Sequence, residues 1–204
     1  MSGHRSAARA WAVRHGALRR CEGGGDRRTR PSIPDNGAHG HPGHARDRCR
    51  TTRGRPVHLH EYAHDPRASL REGGRGYALE AVAELGLDPA RVFKTIVVAV
   101  DGRLGIAVVP ADAEVDLKAV ADALRGRKAT IAPPAEAERA TGYVLGGISP
   151  LGTRRALPTA LDESAADLAT IHVSAGRRGL EIELAASDLL ALTGGVLAPV
   201  ARRG

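Results

Sequence analysis

A single lysine opens a strand that is otherwise apolar. Lys94 lies near the start of the run from Arg91 to Val100, in which β-branched residues dominate and no polar face remains. The run therefore predicts a strand that is covered on both sides. A lysine in such surroundings is costly to desolvate without a carboxylate or phosphate partner. Either Lys94 extends its ammonium into water from the strand end, or it is a rigidly mounted cation in a cleft, directed at an anionic group.

Other positions could add polar groups to such a cleft: Tyr62, the Gly146-Gly147 pair, Ser174 and Glu181. Each also has a purely structural interpretation. Tyr62 could be an aromatic residue at a strand end, and Gly146 could be only a turn residue. Glu181 could pair with a surface arginine. Together, however, such groups suit the positioning of a substrate and the stabilisation of an oxyanion by backbone N–H groups.

A nucleophile is harder to find. Both cysteines, Cys21 and Cys49, precede residue 56, so the remainder of the chain has no thiol of its own. His172 and Ser174 share a strand face by alternation alone, which is a thin basis for a Ser-His hydrolase. Phosphate-binding loops, dinucleotide fingerprints, nucleophile elbows and zinc signatures are all missing from the sequence.

The net positive charge of the chain comes entirely from its first 55 residues. Of the 204 residues, the first 55 hold 13 arginines and no lysine against 4 acids, which gives +9. Residues 56–204 hold 17 basic and 19 acidic residues, which gives −2. The net charge of +7 therefore indicates nothing about a nucleic-acid partner for the remainder of the chain.

Residues 1–55 predict a disordered or mis-translated segment rather than a folded unit, because Arg, Gly, His and Pro dominate it and apolar residues show no period. Its histidines, with Cys49, fit no compact zinc pattern, so we expect no metal. The arginines could form a nucleic-acid-binding arm. We favour a misread frame or misplaced start, which peptide mapping of residues 1–50 would test.

Residues 56–204 predict one α+β domain with a mostly antiparallel sheet, since hairpin-like strands alternate with inserted helices. The Asp101-Gly102 pair is the strongest hairpin signal in the chain. No apolar run is long enough to cross a membrane and no secretory leader is recognisable, so we expect a cytoplasmic protein. The expected strands are 57–62, 91–100, 104–109, 128–131, 157–161, 170–174 and 180–184. The expected helices are 77–85, 116–124, 133–139 and 188–193, with Asp116 and Ser187 as N-caps.

Several short motifs resemble one family of proteins. They are Phe93-Lys94-Thr95, the stretch from Thr141 to Gly152, and the stretch from Val173 to Leu180. In this order and at these spacings they are similar to the YbaK/EbsC family, whose members are bacterial Cys-tRNA(Pro) deacylases related to the editing domain of prolyl-tRNA synthetases. The resemblance covers about residues 57 to 195, and residues 1–55 have no counterpart in it.

The resemblance implies a strongly curved, barrel-like mixed sheet surrounded by helices. It also implies roles for individual residues. Lys94 matches the family's essential lysine, with Thr95 following it. Gly146, followed by Gly147, matches the first glycine of a loop whose backbone faces the substrate carbonyl. Tyr62 and Ser174 match pocket positions, and Glu181 falls where relatives can carry Asp.

The activity implied is hydrolysis of the ester between a mischarged amino acid and the terminal ribose of tRNA, most directly Cys-tRNA(Pro). The partners implied are misacylated proline-specific tRNA and prolyl-tRNA synthetase, with no cofactor, metal or membrane. Local arginines at 154, 155, 177 and 178 are the expected tRNA contacts. A relative acting on another misacylated tRNA, such as Ala-tRNA(Pro), and a catalytically idle tRNA-binding module stay open as alternatives.

Overall fold

The computed structural model describes residues 18–19, 49–51, 55–64 and 76–203. Of the segment predicted to be disordered or mis-translated, it therefore describes only two short strands and Arg55, and the interpretation of residues 1–55 stays a prediction. Between the expected strand 57–62 and the expected helix 77–85, the sequence also predicts a polar loop at residues 67–76, of which all but residue 76 lies outside the described part. The strands are β1 (Leu18–Arg19), β2 (Cys49–Thr51), β3 (Pro56–Glu61), β4 (Val92–Val100), β5 (Arg103–Pro110), β6 (Glu114–Val115), β7 (Ala129–Ile131), β8 (Thr159–Asp162), β9 (Ile171–Ser174), β10 (Leu180–Leu184), β11 (Val196–Ala198) and β12 (Ala201–Arg202).

Ten of these strands form one mixed sheet in the order β1-β2-β3-β10-β9-β4-β5-β8-β11, with β7 also paired to β4. Most pairs are antiparallel, while β4–β9, β5–β8 and β8–β11 are parallel. The prediction of an α+β domain with a mostly antiparallel sheet is confirmed. The barrel-like form is not: in the described residues the strand path is open, because its end strands of two and three residues pair with no strand that would close it.

In the described part of the chain, four helices accompany the sheet: α1 (Gly76–Leu85), α2 (Leu117–Ala123), α3 (Pro134–Thr141) and α4 (Ala186–Thr193). The Asp116 side chain caps α2 by accepting hydrogen bonds from the backbone N–H groups of Lys118 and Ala119. The prediction that Ser187 caps the last helix is wrong. That helix begins at Ala186, two residues before the predicted start, so Ala185 holds the N-cap position without a side-chain bond. The Ser187 hydroxyl accepts a hydrogen bond from Arg55 instead. No helix in the described part of the chain is long and apolar enough to span a bilayer.

Strand β4 is the centre of the sheet and the element that creates the site. Asp101 and Gly102 both have positive φ (47° and 78°), the conformation of a tight hairpin, and they return the chain into β5. On its other edge, β4 pairs with β9 only at residues 92–93 and with β7 only at residues 98–100. Residues 94–97 therefore lie in a gap between two short partner strands.

The two faces of the sheet differ in polarity beside this gap. Phe93, Val173 and Ile182 belong to the largest apolar cluster, which also contains Leu184 and Leu189. By alternation, His172 and Ser174 of β9 and Glu181 and Glu183 of β10 extend to the opposite face. A polar face that continues into the gap in β4 is the framework for the functional groups described next.

Candidate functional site

A cleft of about 590 Å³ opens at the gap in β4. Five of the predicted site residues line it: Lys94, Thr95, Gly146, Ser174 and Glu181. They come from four separate segments of the chain, and the fold brings them together around one cleft. Because no strand pairs with residues 94–97 of β4 on this edge, residues from both of its faces reach the cleft.

Lys94 is half-buried and held by backbone carbonyls. Its Nζ donates to the carbonyl of Ala113 at 2.6 Å and to that of Ala111 at 3.2 Å. Both carbonyls belong to the buried segment that follows β5. The side chain is therefore a mounted cation at the wall of the cleft and does not simply extend into water, which excludes the first of the two interpretations of its position.

Two residues that line the cleft have hydroxyl groups without hydrogen-bond partners among the described residues. The Oγ1 of Thr95 and the Oγ of Ser174 are both buried, and neither has an acceptor or donor within reach. Buried polar atoms are usually paired, so an unpaired pair of hydroxyls beside a cavity indicates a place where a ligand supplies the missing bonds. A hydroxyl can donate or accept, and both can therefore contact an ester or a ribose.

Glu181 supplies a carboxyl group that is 7% exposed. Burial raises its pKa to about 8, so the group is largely neutral near pH 7. It lies directly opposite Ser174 on the neighbouring strand, which places the two side chains on the same face. The prediction that Glu181 pairs with a surface arginine has no support in these contacts, because Arg177 pairs with Glu61 and Arg178 bonds a backbone carbonyl.

Gly146 lies in the loop between α3 and β8 and has a φ of +80°, which side chains rarely adopt. A Cβ at this position would fall 2.7 Å from three ring atoms of Tyr77, near the start of α1. The guanidinium of Arg178 also lies over that ring, 5.1 Å from its centroid, and its Nε donates to the Leu145 carbonyl. Tyr77 and the hairpin between β9 and β10 thus hold the glycine loop at the cleft.

The other two predicted site residues, Gly147 and Tyr62, are not among the residues that line the cleft. The Gly147 N–H donates to the Val144 carbonyl at 3.0 Å, and a Cβ at Gly147 would meet the backbone of Arg177. Gly147 therefore packs the loop against the hairpin. Tyr62 is half-buried beneath α1, where burial, then the charges of Glu181 and Glu80, raise the pKa of its hydroxyl.

Of the expected tRNA contacts, Arg154 and Arg155 are exposed near the glycine loop, and Arg177 is exposed on the hairpin. Arg178 contacts Tyr77, as described above. The weak Ser-His alternative gains nothing, since the ring nitrogens of His172 have no hydrogen bond to Ser174 or to any other described residue.

Two features were missed by the sequence reasoning. The apolar spacing around Tyr77 predicts only a helix residue, although an aromatic side chain at a helix start in a chain with 2% aromatics is an available signal. The second is a cluster outside the cleft, in which His60, His172 and Glu183 lie close together. Strong burial lowers the pKa of His172 to about 4, although the nearby Glu183 charge opposes that shift. These three residues are the group in the described part of the chain whose donor atoms could hold a metal ion.

Comparison with known proteins gives consistent matches. The model of the aminoacyl-tRNA editing domain family matches residues 75–192. A protein of Enterococcus faecalis, named as a candidate Cys-tRNA(Pro)/Cys-tRNA(Cys) deacylase EbsC, is 43% identical over 124 residues, which are 59% of this chain and 75% of that protein. A proline–tRNA ligase of Acidithiobacillus ferrooxidans is 30% identical over 111 residues, or 54% of this chain and 20% of the ligase. A crystal structure titled as a candidate trans-editing enzyme for prolyl-tRNA synthetase aligns with a TM-score of 0.61 at 25% identity, covering 72% of this chain and 87% of that one.

Proposed function

Because the chain belongs to the aminoacyl-tRNA editing domain family, we propose that it deacylates misacylated tRNA in trans, with Cys-tRNA(Pro) as its substrate. The observation that carries the proposal is the cleft at the gap in β4. It brings together a mounted cation, two unpaired hydroxyls, a neutral carboxyl group and a glycine loop, in a chain that is 43% identical to a candidate deacylase of this substrate.

The reaction suits these groups. An aminoacyl ester is already activated, so the enzyme has to orient it and stabilise the oxyanion that forms at its carbonyl. We assign oxyanion stabilisation to the backbone of Gly146, and contacts to the ester or ribose to the hydroxyls of Thr95 and Ser174. Gly147 and Tyr62 act from behind the lining, by fixing the loop and the side of the cleft near Glu181.

The nucleophile comes from the substrate in this proposal, because residues 56–204 contain no cysteine. The thiol of the cysteinyl group attacks its own ester carbonyl and forms a carbon–sulfur bond. The bond between that carbonyl carbon and the ribose oxygen breaks, and the ribose oxygen takes up the proton that the thiol releases. Water then opens the resulting thiolactone to free cysteine, so that no protein nucleophile is consumed.

Lys94 provides the charge that holds the nucleic-acid end of the substrate. Its ammonium is fixed by the carbonyls of Ala111 and Ala113, and from that position it attracts the phosphate or ribose of the terminal adenosine. The exposed Arg154, Arg155 and Arg177 then contact the acceptor stem. Since residues 56–204 carry a net −2, prolyl-tRNA synthetase is the proposed partner that brings the substrate close.

The test is a deacylation assay on tRNA(Pro) charged with cysteine, alanine or serine. We expect Cys-tRNA(Pro) to be hydrolysed fastest, because only cysteine carries a thiol that can attack the ester. The test variant is Lys94→Ala, which removes the mounted cation. Its matched control is Lys118→Ala, which removes an exposed lysine on α2. Faster hydrolysis of Ala-tRNA(Pro) would assign the chain to another mischarged substrate. If the folded protein hydrolyses none of the three, it is an idle tRNA-binding module and the proposal is wrong.

A further inference from the structure

Three neighbouring strands bring two imidazoles and a carboxylate together outside the cleft. His60 lies on β3, Glu183 on β10 and His172 on β9, and one ligand atom from each lies within 4.8 Å of the others. The Nε2 of His60 is 3.1 Å from Oε2 of Glu183, and the Nε2 of His172 is 3.9 Å from Oε1. The two imidazole rings meet edge to face, with their centroids 5.1 Å apart. None of the three residues lines the cleft.

His172 is the member of this cluster that calls for a ligand. The residue is 1% exposed, and neither ring nitrogen has a hydrogen-bond partner among the described residues. A neutral imidazole always carries one N–H donor and one acceptor nitrogen, and leaving both unpaired in the interior is unfavourable. A metal ion bound at one ring nitrogen would satisfy the acceptor, and a neutral imidazole is the most common metal ligand in proteins.

The carboxylate is already oriented for such a role. Oε1 of Glu183 accepts a hydrogen bond from the Thr170 hydroxyl at 2.7 Å and another from Arg91 Nη2 at 3.3 Å. Its other oxygen faces His60. Hydrogen bonds that hold a carboxylate ligand from behind are typical of metal sites. The side chains of His60 and Glu183 are 17% and 20% exposed, so an ion can reach the cluster from solvent.

We propose that His60, His172 and Glu183 bind one divalent transition-metal ion of the zinc class. Two imidazoles and one carboxylate, with the fourth position left to water, form a donor set that Zn²⁺ uses in proteins. Mg²⁺ and Ca²⁺ prefer sites built from oxygen alone. The positive charge of Arg91 opposes the ion, and the shared Glu183 carboxylate separates the two charges. A bound ion would tie β3, β10 and β9 together two residues from Ser174 and Glu181.

The experiment titrates the full chain with Zn²⁺ in the presence of a chromophoric chelator, and follows the melting temperature with and without the ion. The variants are His172→Gln and Glu183→Gln. The matched control is His64→Gln. Like His60, His64 contacts a carboxylate, Glu80 at 2.9 Å, and its side chain is 17% exposed, as is that of His60. Residues 1–55 contain five histidines and two cysteines, so the readout is the difference in equivalents bound between variant and wild type.

We expect the wild type and His64→Gln to bind one more equivalent than His172→Gln and Glu183→Gln. At about 100-fold excess of free ion over Kd, the melting temperature should rise by about 5–10 °C in the first two proteins and not in the others. The proposal is overturned if Zn²⁺ leaves the wild-type melting temperature unchanged, or if His172→Gln binds as many equivalents as the wild type. In either case the cluster is an ion pair only. Because the wild-type measurement needs no substitution, a variant that fails to fold does not leave the question open.

Discussion

The ring of Tyr77 occupies the space that a side chain at Gly146 would need. A Cβ on Gly146 would fall 2.7 Å from three ring atoms, a separation that folded proteins do not tolerate, and the φ of +80° is strained for any other residue. The glycine is therefore required twice, by its own backbone and by the aromatic ring above it. Since Arg178 lies over the same ring, α1, the glycine loop and the hairpin between β9 and β10 meet at this point.

The first prediction concerns Gly146→Ala. We expect deacylation to fall by about a hundred- to a thousand-fold, the range for losing one oxyanion donor, because the loop must move to relieve the contact. Gly102→Ala is the matched control: its φ is +78°, and a Cβ there meets nothing within 4 Å. It should share the backbone strain, lower stability by about 1 kcal/mol, and leave turnover unchanged. Full activity in folded Gly146→Ala would remove the loop from the mechanism.

The second prediction separates the ring from the backbone. In the double variant Tyr77→Ala with Gly146→Ala, the new methyl group has space, while the positive φ stays unfavourable. If the ring contact dominates, the double variant recovers part of the stability that Gly146→Ala loses, and the two changes are non-additive. Urea unfolding of the wild type, both single variants and the double variant measures this coupling. Strictly additive losses would show that the ring contact is not the cause.

The third prediction concerns Lys94→Ala. The change removes the donor that two buried carbonyls share, so we expect a loss of about 1–3 kcal/mol in stability as well as a loss of deacylation. Lys94→Arg keeps the charge, but its planar fork does not reproduce a compact ammonium between two carbonyls, and it should restore little activity. Thermal melts and single-turnover rates are compared with those of Lys118→Ala. Wild-type rates in Lys94→Ala would mean that this lysine is purely structural.

The elements with strong local signals were predictable from the sequence. Asp101-Gly102 forms the expected hairpin because both residues can adopt positive φ, and Asp116 caps α2 because its carboxylate reaches two N–H groups. Ser187 shows where such signals fail. A serine near a helix start resembles a cap, but the chain turns at Ala185 and the serine becomes a helical residue.

The arrangement of the site was less predictable, because it depends on contacts between distant segments. Alternation along a strand predicts which face Ser174 or Glu181 occupies on its own strand. It does not predict that the two residues lie opposite each other on neighbouring strands. The gap in β4 arises because β9 and β7 pair with different parts of the same edge of that strand. The spacing of residues along one strand does not predict which strands become its neighbours. For the same reason, the approach of Tyr77 to Gly146 and the cluster of His60 with His172 were not foreseen.

The fourth prediction concerns the front segment. Strand β2 pairs with β3 through Cys49 and Arg50, and on its other side it pairs with β1, the end strand of the sheet. Removing residues 1–47 leaves that pairing intact, and we expect stability to change by less than about 1 kcal/mol. Removing residues 1–54 also deletes β2, and the comparison of the two truncations measures what this edge strand adds. A loss of cooperative unfolding after removal of residues 1–47 would show that the fold requires that segment, which includes β1.

The last prediction is a pH dependence that Glu181 gives to stability. Its carboxyl group releases its proton at a pKa near 4.5 in the unfolded chain, whereas burial raises the pKa to about 8 in the folded protein. Between these values the folded state binds more protons than the unfolded state, so stability falls as the pH rises, by up to about 1.4 kcal/mol per pH unit. Above pH 8 the loss is complete.

The variant Glu181→Gln stays neutral and should lack this slope, so that its stability relative to the wild type improves steadily from about pH 5 to about pH 8. Urea unfolding of both proteins at one-unit steps of pH measures the difference. Glu84→Gln, which changes an exposed carboxylate on α1, should run parallel to the wild type. If the Glu181→Gln curve also runs parallel, the buried carboxyl group is ionised in the folded protein, and the cleft holds a negative charge where we assign a neutral hydrogen-bonding group.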